Sequence, residues 1–495
     1  MYQDRIAERF RHKIISAEQA ANLVKDGMVV GASGFTKAGD AKATLKAMAA
    51  RAKADPFTIN LMTGASLGHN LDGLFAEAGM ISRRMPFQSD ATLRKKINNG
   101  EVMFTDLHLG ETAELLAYGF LPPVDIAIIE VAAIYDDGSV LPTTSIGNNL
   151  TYARHAKQII LEVNTTIPLE IRGFHDIFAT GISPQRQIIP VTEPSTRIGT
   201  ETMPIDADKV IGVVISDIKD SPVELSAVDE KTLAISDHLM DFFNQEVKRG
   251  RLTPNLPPLQ TGIGNIANAV FSGFKRGNFE NLKMYSEVLQ DSTFELIDSG
   301  KMKFASACSF AVTSECYENF FANLDRYRGK IMLRPEKISN SPEVIRRLGV
   351  IAINTAIEFD LYGNVNSTHI GGNKMMNGIG GSGDFARNSY LSIFVTQSAS
   401  KNDSISHVVP MVTHVDSNEH DVDILVTDQG LADLRGLAPR ERALRVIENC
   451  CHPEYRDQLK AYYKEALVRG GHTPHIIEKA FSWHQNFNER GTMKF

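Results

Sequence analysis

The same order of features occurs twice in this chain, and that order restricts it to few folds. In the first half, the apolar run Val124-Asp125-Ile126-Ala127-Ile128-Ile129-Glu130-Val131 is followed by Asp136-Asp137-Gly138-Ser139-Val140. In the second, Val350-Ile351-Ala352-Ile353-Asn354-Thr355-Ala356-Ile357-Glu358 is followed by Asp360-Leu361-Tyr362-Gly363-Asn364-Val365. Each reads as a buried strand, an acidic residue, then a tight glycine turn into another strand. Asn99-Gly100-Glu101-Val102-Met103-Phe104 likewise matches Ser299-Gly300-Lys301-Met302-Lys303-Phe304, and Ser33-Gly34-Phe35 corresponds loosely to Gly262-Ile263-Gly264. This ordered recurrence predicts two related α/β halves.

Strand-like runs alternate with helical segments such as 43–53, 231–249 and 440–449. Alternation of this kind predicts largely parallel sheets covered by helices, with glycine loops at strand ends as natural ligand sites. Arg251-Leu252-Thr253-Pro254-Asn255-Leu256-Pro257-Pro258 is unsuited to a regular helix and marks a break. The expected division is an N-terminal domain over 1–225 and a C-terminal domain over 226–495. A tail from His452 is expected to hold a helix over 455–469, a break at 470–475 and another helix over 476–480, and to cover a surface.

With 495 residues, 43% hydrophobic and 22% charged, the chain has room for two or three domains with substantial cores. A formal charge of −7 argues against a nucleic-acid partner, which usually meets a basic face. The N-terminus mixes acids with bases and leads into no apolar stretch of signal-peptide length, and Asp4 and Glu8 count against a mitochondrial presequence. A cytoplasmic address follows as the expectation. Apolar runs such as Val210-Ile211-Gly212-Val213-Val214-Ile215 have strand length, so no membrane span is expected. Cys308, Cys316, Cys450 and Cys451 form no C-x-x-C pair and read as buried, reduced thiols; Cys308 sits in a small-residue run typical of a packed strand. His407, His414, Asp416, Glu419, His420, Asp421 and Asp423 cluster in sequence but lack H-E-x-x-H, and their period-two flanks read as strand and turn. No metal is expected.

The break Lys283-Met284-Tyr285-Ser286-Glu287-Val288-Leu289-Gln290-Asp291 places Glu287 between a strand end and an amphipathic helix expected to begin near Val288. The run Gln260-Thr261-Gly262-Ile263-Gly264-Asn265-Ile266 offers open backbone N–H groups, and Asn377-Gly378-Ile379-Gly380-Gly381-Ser382-Gly383-Asp384 is a second such run. One carboxylate with two glycine loops points to acyl chemistry, because a carboxylate can attack an acyl group while loop amides stabilise the oxyanion. Ala267 stands where G-x-G-x-x-G would have its third glycine, so the run does not complete that pattern and no dinucleotide site is expected.

These segments, with Gly363-Asn364-Val365-Asn366-Ser367-Thr368-His369 and 377–388, resemble the acetyl-CoA hydrolase/transferase family of class I CoA-transferases. Within it they look most like the bacterial succinyl-CoA:acetate and propionyl-CoA:succinate transferases. The likeness runs from Gly31-Ala32-Ser33-Gly34-Phe35-Thr36 to Ala432-Asp433-Leu434-Arg435-Gly436. It implies two tandem CoA-transferase domains, a homodimer, and coenzyme A as co-substrate with no other cofactor. It implies transfer of CoA between small aliphatic carboxylates of the acetate, propionate and succinate class by a ping-pong route. In that route Glu287 attacks the acyl-CoA carbonyl and becomes a glutamyl-CoA thioester. An acetyl-CoA hydrolase using the same glutamate is the alternative; a non-catalytic acyl-CoA sensor would keep the glycine loops without needing Glu287. The amides of Ile263 and Gly381 match positions that line the family's site, within CoA-binding and oxyanion loops that include Gly262, Gly264, Asn265, Ile266 and Asn377. Lys401 matches a CoA-binding lysine. Asn340 matches a residue that orients the glutamate or its adduct, although the residues alone fit a helix cap before 342–348 equally well. Asp428 stands where the family usually has Glu, a side chain longer by one carbon–carbon bond, roughly 1.5 Å.

Overall fold

Short apolar runs joined by helical crossovers build a seven-stranded sheet in the first half of the chain. In this computed structural model, which describes residues 3–184 and 186–495, the strand order is Met103–Phe104, Ile81–Met85, Ile59–Met62, Val29–Ala32, Ile126–Val131, Gln158–Asn164, Val210–Ser216. Met1 and Tyr2 of the N-terminal stretch lie outside the described residues. Every pairing in this sheet is parallel. Parallel strands are covered on both faces and so read as continuous apolar runs; all of Val29–Ala32 and Ile126–Val131 is buried. Leu45, Met48, Ile59, Leu61, Phe75 and Ile128 share one core cluster beside the sheet. At Gly31 an added Cβ would lie 2.7 Å from the Tyr152 ring, so the close helix-to-strand contact there needs a glycine.

A second, eight-stranded sheet includes Leu259–Thr261, Ile351–Thr355, Leu391–Val395, Ile424–Thr427 and Gly430–Asp433 as successive neighbours. The first four run parallel, and the last returns as an antiparallel hairpin. The protein is thus α/β, with largely parallel sheets covered by helices.

The recurrent motifs adopt matching geometry. Helix Ala91–Asn98 ends in Gly100 at φ 76° before a strand, and helix Asp291–Asp298 ends in Gly300 at φ 76° before Met302–Ala307. Ala133–Ile134 pairs antiparallel with Val140–Leu141 around Gly138 at φ 90°; Glu358–Asp360 pairs antiparallel with Val365–Asn366 around Gly363 at φ 95°. A positive φ is what glycine supplies at such turns.

The chain divides into two compact units, each discontinuous in sequence. One comprises Met1–Glu224, Met284–Asp291 and Phe304–Leu348; the other comprises Leu225–Lys283, Ser292–Lys303 and Gly349–Phe495. Glu287 and Asn340, which a division at 225/226 assigns to the C-terminal half, therefore lie in the first unit.

Helices Lys42–Ala54, Glu230–Lys248 and Pro439–Cys450 occupy the expected segments. Two expectations shift. The helix after Glu287 starts at Asp291, because Val288–Leu289 is drawn into parallel pairing with Ser309–Phe310. In the tail, Pro453–Arg469 is helical as expected, but Ile477–Lys479 is a single 3-10 turn closed by i→i+3 bonds to the carbonyls of Ile476 and Ile477. The further helix lies beyond it, at Ser482–Arg490. Among the described residues, no helix is long and apolar enough to cross a membrane.

Gly31→Ala should destabilise the protein by about 1–3 kcal/mol through overpacking against Tyr152. Urea unfolding followed by circular dichroism would measure it, and a variant as stable as the parent would refute the close-packing account.

Candidate active site

Glu287 follows the strand Leu282–Tyr285 and is held by its own backbone. Its carbonyl accepts from the Cys308 N–H at 2.9 Å and the Cys308 thiol at 3.0 Å. On either side, Ser286 donates its N–H to Ser306 and Ala311 donates to Leu289. The Glu287 residue is only 9% exposed, so it is nearly buried. Burial and the nearby Glu336 and Glu287 carboxylates hold the Cys308 thiol well above its ordinary pKa. It stays protonated and donates a hydrogen bond; a thiolate nucleophile is disfavoured.

Tyr285, two residues before Glu287, donates its phenol to the Ile338 carbonyl at 2.5 Å. Ile338 belongs to the short helix Glu336–Ser339, whose last turn is closed by the Asn340 N–H donating to the Glu336 carbonyl at 2.8 Å. The structure thereby ties the segments of Glu287 and Asn340 together. Asn340 is fully buried and ends that helix, where the cap reading placed it before 342–348.

The first unit also holds a buried charge cluster that sequence reasoning missed. Lys42 lies 2.5 Å from Glu130 and 2.8 Å from Asp220, with all three side chains almost entirely buried. Glu130 also accepts from Thr143 and Asn164, at 2.9 Å each. Asp40 accepts from the Gly68 N–H at 2.9 Å. One ammonium faces three carboxylates. Burial therefore pushes Glu130 up to about 8 against the pull of Lys42, with Asp220 adding to the rise, and pushes Asp40 up to about 7 in the same way. Burial lowers the Lys42 pKa less than Asp220, Glu130 and Asp40 raise it, so Lys42 stays charged. The signal available in sequence was Glu130 and Glu162 interrupting apolar strands. Glu162 caps the helix Lys42–Ala54 by accepting from the N–H groups of Ala43 and Thr44, both at 2.8 Å.

In the second unit, three candidate loops leave the C-terminal ends of neighbouring parallel strands. Gly262 donates its N–H to Ile353 at 2.9 Å directly after Leu259–Thr261. Gly264, at φ 117°, caps the helix Asn265–Arg276, a backbone shape open to glycine alone without strain. Ile263 is exposed, Ile266 is half-buried, and Asn265 accepts from the Ser226 N–H at 3.2 Å. First-turn amides of such a helix have no intrahelical acceptor and can serve a ligand.

Asp428 follows Ile424–Thr427 and accepts from the Ser398 N–H at 2.6 Å, the Ser398 hydroxyl at 3.0 Å and Gln429 at 2.8 Å. It clamps the loop after Leu391–Val395 that leads to Lys401. Lys401 is exposed, with its ammonium 5.5 Å from the Phe487 ring centroid. Asn377 donates to the Gly378 carbonyl at 2.8 Å, and Gly381 precedes the helix Ser382–Asn388.

The acid–histidine cluster is dispersed into separate contacts. His407 meets the hydroxyls of Thr396 at 3.1 Å and Ser400 at 2.9 Å, His414 lies 3.2 Å from Asp416, and Asp423 accepts from the Ser392 N–H. Among the described residues, no group of three or more His, Cys, Asp or Glu is placed to hold a metal. Of the four free cysteines, Cys308, Cys450 and Cys451 are buried. Cys316 is partly exposed, contrary to expectation, because it lies in the first turn of the helix Ser314–Ala322, of which only Phe320 is buried.

Two family models match the chain: the acetyl-CoA hydrolase/transferase N-terminal domain over residues 1–215 and the C-terminal domain over 317–463. The chain belongs to the acetyl-CoA hydrolase/transferase family. It is 47% identical over 489 residues to the succinyl-CoA:acetate CoA-transferase of Clostridium kluyveri, covering 98% of this chain and 91% of that protein. To the acetyl-CoA hydrolase of Schizosaccharomyces pombe it is 45% identical over 507 residues, covering 98% and 97%. The crystal structure of RipA from Yersinia pestis superposes with a TM-score of 0.73 at 23% identity, covering 93% of this chain and 98% of that one, a likeness of fold. Glu287 falls between the two matched stretches of the family models.

Two outcomes follow from this geometry. Tyr285→Phe leaves the Ile338 carbonyl without its phenolic donor and should cost about 1–3 kcal/mol in urea unfolding; an unchanged midpoint would show that the bond carries no weight. Asp40 holds a proton in the folded state that the unfolded chain has lost, since its pKa rises from 3.8 to about 7. Its contribution to stability is therefore full below pH 3.8 and is lost as pH rises toward 7. The unfolding free energy of Asp40→Asn should gain on the parent by at most about 1.4 kcal/mol per pH unit across that window. Parallel curves for the two proteins from pH 5 to 7 would contradict the raised pKa.

Proposed function

We propose that this protein transfers CoA between small aliphatic carboxylates of the acetate, propionate and succinate class, by a ping-pong route through a glutamyl-CoA thioester on Glu287. The observation that carries the reading is the fixation of the Glu287 backbone in a nearly buried setting: its carbonyl accepts both the N–H and the thiol of Cys308. A nucleophile held in this way loses little freedom on reaching the attacking geometry.

In the first half-reaction a Glu287 carboxylate oxygen attacks the acyl-CoA carbonyl, the C–S bond breaks, and CoA leaves as thiolate from a mixed anhydride. The thiolate attacks the Glu287 carbonyl carbon, the anhydride C–O bond breaks, and the first carboxylate departs. An incoming carboxylate reverses both steps. Each addition places negative charge on an oxygen, for which the amides of Ile263 and Gly381 are the proposed donors, in loops with Gly262, Gly264, Asn265, Ile266 and Asn377. Asn340 orients Glu287, Asp428 steadies the loop leading to Lys401, and Lys401 meets a CoA phosphate. The 1–225 and 226–495 halves are read as related transferase domains, the assembly as a homodimer and the compartment as cytoplasm.

The second reading, an acetyl-CoA hydrolase, is favoured by the likeness to the S. pombe protein. The two differ in one chemical need: transfer takes in a carboxylate and releases a carboxylate with no net proton movement, whereas hydrolysis must deprotonate water.

Glu287→Ala should lower turnover by at least about 10³-fold while remaining folded. Parent protein incubated with acyl-CoA alone, then digested for mass spectrometry, should carry CoA on the Glu287 peptide. Initial rates with acyl-CoA and carboxylate both varied should give parallel double-reciprocal lines. Intersecting lines would exclude the ping-pong route, and fast CoA release indifferent to acetate, propionate or succinate would establish the hydrolase.

A further inference from the structure

The turn that carries Lys401 has a backbone that its first residue does not favour. Lys401, Asn402 and Asp403 have φ of 51°, 53° and 59°, three successive non-glycine residues in the left-handed region. L-residues ordinarily enter that region singly. The turn joins the two-residue strands Ala399–Ser400 and Ile405–Ser406, and Ser404 closes it by donating its N–H to the Lys401 carbonyl at 3.2 Å and its hydroxyl at 2.8 Å. Such a conformation persists only where surrounding structure over-determines it.

The restraint comes from chain far away in sequence, most of it near the C-terminus. The Asp403 carboxylate lies 2.9 Å from the Lys231 ammonium and 3.7 Å from His452, and the Asp403 carbonyl accepts from the Tyr455 phenol at 2.9 Å. The Ser404 carbonyl accepts from the Met493 N–H at 2.8 Å and the Thr492 hydroxyl at 3.2 Å. Asn486 turns the chain end back by donating to the carbonyls of Thr492 at 3.0 Å and Lys494 at 2.6 Å, and Lys494 pairs with Glu454. Phe487, one residue on, lies beneath the Lys401 ammonium.

We propose that the segment 481–495 is the positioning element for the phosphate-binding lysine. It pins the left-handed turn at 401–403 and rests the Lys401 ammonium on the Phe487 ring until a CoA phosphate draws it away. The inference builds on the reading of Lys401 given above. A cation held over an aromatic face is already restricted in its rotamers, so less freedom is lost when it moves to phosphate. Asn486 and Phe487 are positioning residues in this scheme: Asn486 folds back the chain end whose Thr492 and Met493 hold Ser404, Phe487 meets the lysine, and Lys401 touches the ligand.

The test compares acyl-CoA with the corresponding acyl-pantetheine, which has the thioester but no phosphate. Lys401→Ala should raise KM for acyl-CoA about tenfold, the worth of one charge-assisted contact, with kcat little changed. Asn486→Ala and Phe487→Leu should raise it several-fold, with KM for acyl-pantetheine matching the parent. Amide exchange in the 400–405 peptide should quicken in Asn486→Ala and not in Lys401→Ala, with circular dichroism confirming that all three variants fold. A raised KM in Lys401→Ala with parent values in both tail variants would overturn the positioning role and leave the lysine's role standing. An unchanged KM in Lys401→Ala would remove the phosphate reading and the inference with it. Equal losses on acyl-pantetheine would show a general structural effect and overturn the proposal.

Discussion

Parallel pairing constrains this molecule more than any single contact. Neighbouring parallel strands must be joined by a crossover, so every strand of a run ends on the same edge and delivers its following loop there. In the second unit, the residues after Leu259–Thr261, Leu391–Val395 and Ile424–Thr427 are the Gly262 loop, the Ser398–Lys401 stretch and Asp428. Residues remote in sequence become neighbours through strand order alone. The Asp428–Ser398 clamp then joins two of those loops.

The first sheet shows what else can be built at such an edge. Lys42, Glu130, Asp220 and Asp40 form a cluster with more acid than base, buried where water cannot solvate it. A lone pair in such a place often costs more to desolvate than it returns. Here the excess is met by hydrogen bonds from Thr143, Asn164 and the Gly68 amide, and by pKa values high enough for carboxyl protonation near neutrality. Glu162, one strand over, reaches the first amides of the helix Lys42–Ala54, where a negative charge meets the positive end of the helix dipole.

Apolar runs with alternating helical periods foretold the parallel sheets, because continuous burial on two faces leaves a plain mark in composition. The glycine turns were legible for the same reason: Gly100 and Gly300 take one φ value, and Gly138 and Gly363 nearly so. Pairing between remote segments was not legible. Val288 could not be assigned to a strand until Ser309–Phe310 was seen beside it. Nor could Glu130 be recognised as part of a cluster, since its partners come from a helix start at Lys42, a strand end at Asn164 and Thr143, brought together only by the fold. The grip of Cys308 on Glu287 left no sequence mark either; the thiol reads as packing, and its partner is a main-chain carbonyl. Family resemblance singled out Glu287, while the structure supplies the local anchoring that resemblance does not describe.

The interleaving of the two compact units bears on synthesis at the ribosome. The first unit gathers residues up to Leu348, so the chain to Glu224 cannot complete it alone. About 120 further residues must emerge first, a delay of roughly 6–25 s at 5–20 residues per second. Throughout that interval the nascent N-terminal sheet waits without the strand and helix segments that carry Glu287 and Asn340. Neither unit can be obtained by cutting the gene at a single point.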